Sequence, residues 1–262
     1  MGKRDDRLSR IVELVDAVGA FRIRDLSDAL GVTEVTIRRD LHELKRRDLI
    51  RVFHGVAASN DTGGSRSADS DIYRIDEAEH ANIAAKRAIA RHAAALIEPG
   101  EIVYFDPGTT TELVARLADP NIAITVVTTA LNISDYVAHN TSWSLVNPGG
   151  LLHRGPMMFE GDYTVEFLNK TRAHRAFISA SGLTPDLGVT CTNFFEIAVK
   201  QKAIRTAQQS VLVLDSSKFG SVHLAFFGEV QDFDLIITDD GIEPQMADFL
   251  SEKGVDVELV SY

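Results

Sequence analysis

Thr33-Glu34-Val35-Thr36-Ile37-Arg38-Arg39-Asp40-Leu41 reads as the opening of a short amphipathic helix whose arginines lie opposite its apolar stripe. At about 100° per residue, Ile37, Leu41 and Leu44 fall within roughly 60° of one another and form the side to be buried. Val35, Arg39, His42 and Arg46 then point outward, with Arg38 and Thr36 on the flanks. Thr33 stands at the N-cap position, where its hydroxyl and the free amides of the first turn meet a phosphate oxygen well. A short helix with a cationic outer face is suited to a DNA groove. Thr33, Val35, Thr36, Arg38, Arg39, His42 and Arg46 are therefore its expected DNA contacts.

The flanking residues complete a helix-turn-helix. Leu8, Ile11, Val15 and Val18 have helical spacing up to Gly19, and Ile23, Leu26 and Leu30 mark a second, short helix. Gly31 lies between that helix and Thr33, where the turn needs a permissive residue. After the arginine-bearing helix, Leu49 to Gly55 alternates like a strand entering a tight turn, which predicts a small β-wing that brings Arg51 and His54 to the DNA backbone. Residues 1–57 are thus expected to form a winged helix-turn-helix domain, followed by a small, polar, glycine-bearing linker over 58–75.

Charge separates the two parts of the chain. Residues 1–57 hold 12 Lys+Arg against 10 Asp+Glu, net +2; the whole chain holds 27 and 38, so the remainder carries 15 and 28, net −13. Fields are screened within about 10 Å at ordinary salt, so the N-terminal part is attracted to DNA locally although the chain is acidic. Cys191 is the single cysteine, which excludes an intramolecular disulfide and a cysteine-built zinc site and fits a reducing cytoplasm. His139, His153, His174 and His223 are scattered without metal-ligand spacing and read as surface or packing residues, so no metal or cofactor is expected. No signal peptide and no apolar run of the ~20 residues needed to span a bilayer is legible.

Residues 76–262 read as an α/β domain. An alanine-rich helix is predicted from about Asp76 to Ile97, before Pro99-Gly100. Apolar runs at Ile102–Phe105, Ile122–Val127, Trp143–Val146, Ala176–Ile178, Val211–Leu214, Leu235–Ile237 and Val255–Val260 then alternate with helical patterns at Thr111–Leu117, Leu131–Ala138, Glu196–Gln208 and Pro244–Lys253. That alternation predicts a largely parallel sheet, whose ligands sit beyond the carboxyl ends of the strands.

The first such end is the richest. Asp106-Pro107-Gly108-Thr109-Thr110-Thr111 joins a strand to a helix through a glycine and three hydroxyls, an anion site lacking the lysine and spacing of a nucleotide P-loop. A phosphorylated small molecule fits it better than a nucleoside triphosphate. Thr129, Gly149-Gly150, Ser181 and Asp215 with Lys218 follow other strands and are expected to face the same ligand; Lys218 would neutralise phosphate, and Asp106 and Asp215 would accept from hydroxyls. Glu196 is either a ligand contact or a first-turn acid favoured by the helix dipole.

From Arg7 to the C-terminus the chain resembles the DeoR/GlpR family of bacterial sugar-operon regulators. The resemblance rests on Asp25-Leu26-Ser27 with Leu30-Gly31-Val32-Thr33, on Thr36 to Leu41, on Asp106 with Gly108-Thr109-Thr110-Thr111, and on Asp215 with Ser217-Lys218-Phe219-Gly220. It implies a winged helix-turn-helix, a C-terminal domain resembling ribose-5-phosphate-isomerase-like folds, and a phosphorylated sugar as effector. It also implies pocket positions at Asp106, Gly108, Thr109, Thr110, Gly149, Gly150, Asp215 and Lys218. Val56 after His54-Gly55, and Thr128-Thr129 where the family usually has Thr-Asn, depart from the pattern. Gly188 to Asn193 and the Glu196–Lys200 spacing resemble the members that regulate deoxyribose operons, which implies deoxyribose 5-phosphate.

The expectation is a transcriptional repressor, not an enzyme, acting as a homo-oligomer of two or more copies on double-stranded operator DNA and responding to a phosphorylated sugar. Two alternatives use the same parts. One is an activator; the other is a sugar-phosphate isomerase with an appended DNA-binding module, in which Asp106, Asp215 or Glu196 would be the base.

Overall fold

The computed structural model describes residues 7–12, 14, 20–46, 49–53, 56–59 and 81–262. The chain divides into two compact units, Met1–Ser70 and Asp71–Tyr262.

In the first unit residues 7–12 are helical. They are followed by β1 (Ala20–Arg22), α1 (Ile23–Leu30), α2 (Glu34–Arg46), β2 (Ile50–Phe53) and β3 (Val56–Ser59). The strands form an antiparallel sheet in the order β1-β3-β2, so the predicted wing is a hairpin, and a three-residue strand not anticipated from sequence is added to it. Val15, Val18 and Gly19, read as the end of the first helix, lie outside the described residues. Gly31 takes the left-handed conformation at φ 63°, and Val32 N donates back to Ser27 O at 3.2 Å, which closes the turn between α1 and α2. Thr36 N donates to Thr33 Oγ1 at 3.4 Å, a long N-cap bond.

Leu8, Ile11, Leu26, Ile37, Leu41, Leu44 and Ile50 make the core of this unit. Ile37, Leu41 and Leu44 are the α2 stripe, as their spacing requires. Asp40 lies beside that stripe and is buried with it; Arg7 Nε donates to its Oδ2 at 2.6 Å, which ties the first helix to α2.

The second unit begins with α3 (Ile83–Ala94). The predicted start at Asp76 is not reached within the described residues, because Asn82 at φ 52° and ψ 35° is left-handed and cannot continue a right-handed helix. Next come β4 (Ile102–Phe105), α4 (Thr109–Leu117), β5 (Thr125–Thr128), α5 (Leu131–Asn140) and β6 (Ser144–Val146). A hairpin of β7 (Leu151–His153) and β8 (Met158–Glu160) leads to α6 (Asp162–Lys170), β9 (Ala173–Ser179), β10 (Gly182–Thr184), β11 (Gly188–Cys191) and α7 (Phe194–Thr206). The chain then forms β12 (Ala207–Val213), β13 (Ala225–Gly228), β14 (Leu235–Asp239), α8 (Pro244–Glu252) and β15 (Asp256–Val260).

Seven of these strands build a parallel sheet in the order β15-β14-β12-β9-β4-β5-β6. Their side chains alternate between two cores. Val103, Phe105, Phe177, Val211 and Val213 pack with α3, α4 and α5; Tyr104, Ala176, Ile178, Leu212 and Leu214 pack with α7 and a small antiparallel sheet, β10-β11-β13. From β4 the chain winds through β5 to β6 on one side, then returns to β9 on the other and winds outward through β12 and β14 to β15. The loops after β4 and β9 therefore diverge and leave a crevice at the carboxyl ends of these two strands. The short strands β7, β8, β10, β11 and β13 and the helix α6 were not anticipated: the strands span three or four residues each, and α6 has few apolar residues in helical phase.

Replacing Asp40 by alanine removes a buried partner of Arg7 and should destabilise the first unit by about 1–3 kcal/mol. Amide exchange along α2 reads this separately from the second unit, and unchanged protection there would show that the pair holds nothing together.

Candidate functional site

On α2 the outward positions are arranged as the periodicity requires. Val35 is 76% exposed, Arg38, Arg39 and His42 are exposed, and Thr36 is half-buried. Arg38 lies 3.6 Å from Glu34 one turn back, an exposed pair that competes weakly with a phosphate. Arg39 has no ion-pair partner among the described residues and points away from the core. The side chains of Arg46 and Arg51 and the whole of His54 lie outside the described residues.

The crevice of the second unit is lined by groups from four strand ends. Pro107, Gly108, Thr109 and Thr110 follow β4; Ser179, Ala180 and Ser181 follow β9; Thr192 follows β11; Leu214, Asp215 and Lys218 follow β12. Glu196 and Lys200 enter from α7, Lys86 from α3, and Pro156 and His223 from loops. Gly108 is required by close approach: a Cβ there would sit 2.6 Å from Ser179 Oγ and 2.9 Å from Ser179 Cβ. The first amides of α4 follow immediately, and their unsatisfied N–H groups make this end of the crevice favourable to an anion.

A buried charge cluster supports the crevice. Lys200 Nζ donates to Asp106 Oδ2 and, at 3.0 Å, to Ser179 O, and lies 3.5 Å from Glu196 Oε2. The Ser179 amide and hydroxyl also donate to Asp106 Oδ2, at 3.0 and 2.7 Å. Burial opposes the Lys200 charge, but Asp106 and Glu196 outweigh it and its pKa is raised. Burial pushes Glu196 upward against the pull of Lys200. At the opposite wall burial lowers the Lys86 pKa while Asp215 pulls it back up, and burial, with the charge of Lys218, lowers that of His223. Asn193 N and Nδ2 donate to Glu196 Oε1 at 3.2 and 2.8 Å, so Glu196 is at once the first-turn acid of a capping box and part of the crevice wall.

The structure thus brings together Gly108, Thr109, Thr110, Ser181, Glu196, Asp215 and Lys218 among the sequence-predicted ligand residues. Asp106 stands one layer below, fully buried and engaged by Lys200 and Ser179. Thr111 also turns inward, its hydroxyl donating to Asp106 O at 2.6 Å. Thr129 is buried after β5, its carbonyl accepting from Phe159 N at 2.8 Å. Gly149 and Gly150 form the left-handed turn into the β7–β8 hairpin, where a Cβ on Gly150 would lie 2.4 Å from Glu160 O. None of these last four lines the crevice.

Lys86, Lys200 and Thr192 were not singled out as ligand residues, and His223, read as a surface or packing residue, lines the crevice. Lys86 had a signal: it lies in helical phase with Ile89, Ala90 and Ala93, so a lone lysine occupies the apolar stripe of α3. Lys200, four residues after Glu196, is the other.

Comparison with known proteins agrees with both units. The DeoR-like helix-turn-helix domain matches residues 7–63 and the DeoR C terminal sensor domain matches residues 81–240. The chain is 31% identical to the deoxyribose operon repressor of Escherichia coli (strain K12), over 90% of this chain and 91% of that protein. It is 32% identical to the glycerol-3-phosphate regulon repressor of Haemophilus influenzae, over 96% of this chain and 95% of that protein. A solved ribose 5-phosphate isomerase A from Methanocaldococcus jannaschii aligns with 53% of this chain and 55% of its own at 15% identity and TM-score 0.35, too distant to add to the fold described above.

Lys200→Met keeps the volume of the side chain and strands Asp106 without its counter-charge, which should cost the second unit about 3–5 kcal/mol. Urea unfolding followed by Trp143, the single tryptophan, which lies in this unit's core, measures it. Adding Asp106→Ala should restore part of the loss; a single variant as stable as the parent would mean that the pair contributes no net stability.

Proposed function

This chain belongs to the DeoR family of transcriptional regulators, and we propose that it is a cytoplasmic repressor of a carbohydrate catabolic operon whose grip on its operator is set by a phosphorylated sugar bound in the crevice. The observation that carries the second half of this reading is the convergence of Lys86, Lys218 and the α4 N-terminus at the switch point of a parallel sheet, beside the carboxylate of Asp215. Cations and helix amides suit a phosphate, and a neighbouring carboxylate suits sugar hydroxyls. No helix among the described residues is long and apolar enough to cross a membrane.

The first half rests on α2, which presents Arg38, Arg39 and His42 on the side opposite its core stripe. A single such helix reads few base pairs, so a homo-oligomer placing two copies on repeated half-sites is part of the proposal. Of the three carboxylates that the isomerase alternative offers as base, Asp106 is fully buried and held by Lys200, which leaves Asp215 and Glu196 for that reading. Deoxyribose 5-phosphate is the first effector to try, given the likeness to a deoxyribose operon repressor.

For a ligand to act as a switch it must distinguish two states, and a tenfold drop in operator affinity needs about 1.4 kcal/mol of coupling. A duplex selected from a random pool, titrated by fluorescence anisotropy with and without a panel of sugar phosphates, tests the proposal. Failure to enrich any duplex over bulk DNA would refute the repressor; enrichment without a response to any sugar phosphate would refute the effector. Arg39→Ala should weaken specific binding by about 1–3 kcal/mol if it meets a base edge, with folding intact. Lys218→Ala should leave operator binding in place and reduce sugar-phosphate affinity about tenfold or more, as loss of a charge-assisted bond implies; a normal response would place the phosphate elsewhere.

A further inference from the structure

Asn82 is the residue on which α3 starts, and its side chain does something unusual for that position. Asparagine at a helix start ordinarily caps the helix's own amides. Here no side-chain cap bond forms. Asn82 Nδ2 instead donates to Asp215 Oδ1 at 2.8 Å and to Ser217 Oγ at 2.9 Å, residues more than a hundred positions away, at the end of β12. One turn further along α3, Lys86 lies in the crevice wall with its charge facing the same carboxylate.

Asp215 is held asymmetrically. Oδ1 accepts from Asn82, from Ser217 N at 3.3 Å and from Ser217 Oγ at 2.5 Å, whereas Oδ2 is buried with no hydrogen-bond partner among the described residues. The carboxylate is therefore anchored through one oxygen only, on the side of α3. Whatever a ligand does to Asp215, or to Lys86 and Lys218 around it, acts on the group that fixes the start of α3.

We propose that Asn82 is the positioning residue by which occupancy of the crevice is imposed on the start of α3, the first described element that follows the DNA-binding unit in chain order. The inference rests on the functional reading above. A bound sugar phosphate steadies Asp215 and strengthens the Asn82 bond; an empty crevice leaves it weaker. The left-handed backbone at Asn82 is a separate matter, since asparagine tolerates that conformation better than most residues. Glycine tolerates it too, and lacks the side chain.

Asn82→Gly in the full chain separates the two roles. Deoxyribose 5-phosphate, ribose 5-phosphate and glycerol 3-phosphate are the probes, and each is measured for its own affinity by calorimetry and, at saturation, for its effect on the selected duplex. The variant should bind the free duplex as the parent does and the active probe up to about tenfold more weakly, since a bond that the ligand strengthens must in turn strengthen the ligand, while at saturation the tenfold ligand effect on the duplex falls below about twofold. In the parent the probe should slow amide exchange in the first turn of α3, and in the variant it should not. An undiminished ligand effect in Asn82→Gly overturns the inference. So does a variant that loses probe affinity but shows the full effect once saturated, because Asn82 would then only build the pocket. A parent chain that responds to no probe removes the functional reading itself, a result distinct from failure of the variant.

Discussion

The ion pair between Asp106 and Lys200 is the constraint around which the sensor unit is organised. Asp106 follows β4, Ser179 ends β9, and Lys200 lies on α7, so one carboxylate oxygen gathers three elements that are far apart in sequence. Taking two charges out of water is costly, and a buried pair of this kind is seldom justified by stability alone. What it supplies is geometry. The two strand ends flanking the switch point are held at a separation that admits Gly108 against Ser179 and nothing larger. The crevice above inherits its shape from that contact, and the start of α4, Asp215 and Lys218 line it together.

The DNA-binding unit repeats the device on a smaller scale. Asp40 sits within the arginine-bearing stretch of α2 yet faces inward, and its pairing with Arg7 fixes how α2 lies on the first helix. Arg38 and Arg39 are thereby left on the outer face. The same short run of sequence thus holds both the exposed cationic groups and the buried group that orients them. Uneven charge assists: the unit carrying α2 lies in the weakly basic part of a strongly acidic chain.

Much of this was legible in the residues. Helical phase placed Ile37, Leu41 and Leu44 inward and Arg39 outward, because a side chain's direction on a helix follows from its position alone. The alternation of apolar runs and helical patterns gave the α/β architecture, and a glycine followed by hydroxyls after the first strand marked one wall of the crevice. Among the elements not seen, the strands β1, β7, β8, β10, β11 and β13 are too short for a period to declare itself. Asn82 was hidden within an alanine-rich stretch that reads as one helix, although its left-handed backbone ends any such run.

By itself, then, the sequence determined the identity of the two units, the inward and outward faces of α2, and the strand end at Gly108–Thr110 that forms one wall of the crevice. Those features depend on neighbours within a turn or two, which local sterics and hydrogen bonding control. Only the tertiary structure decided which hydroxyls face the crevice and which, like Thr111, turn inward, and that Lys86 of α3 and Lys200 of α7 converge on it while Asn82, at the start of α3, bonds Asp215 in its wall. That convergence is set by strand order and by the burial of paired charges, and no spacing along the chain encodes it.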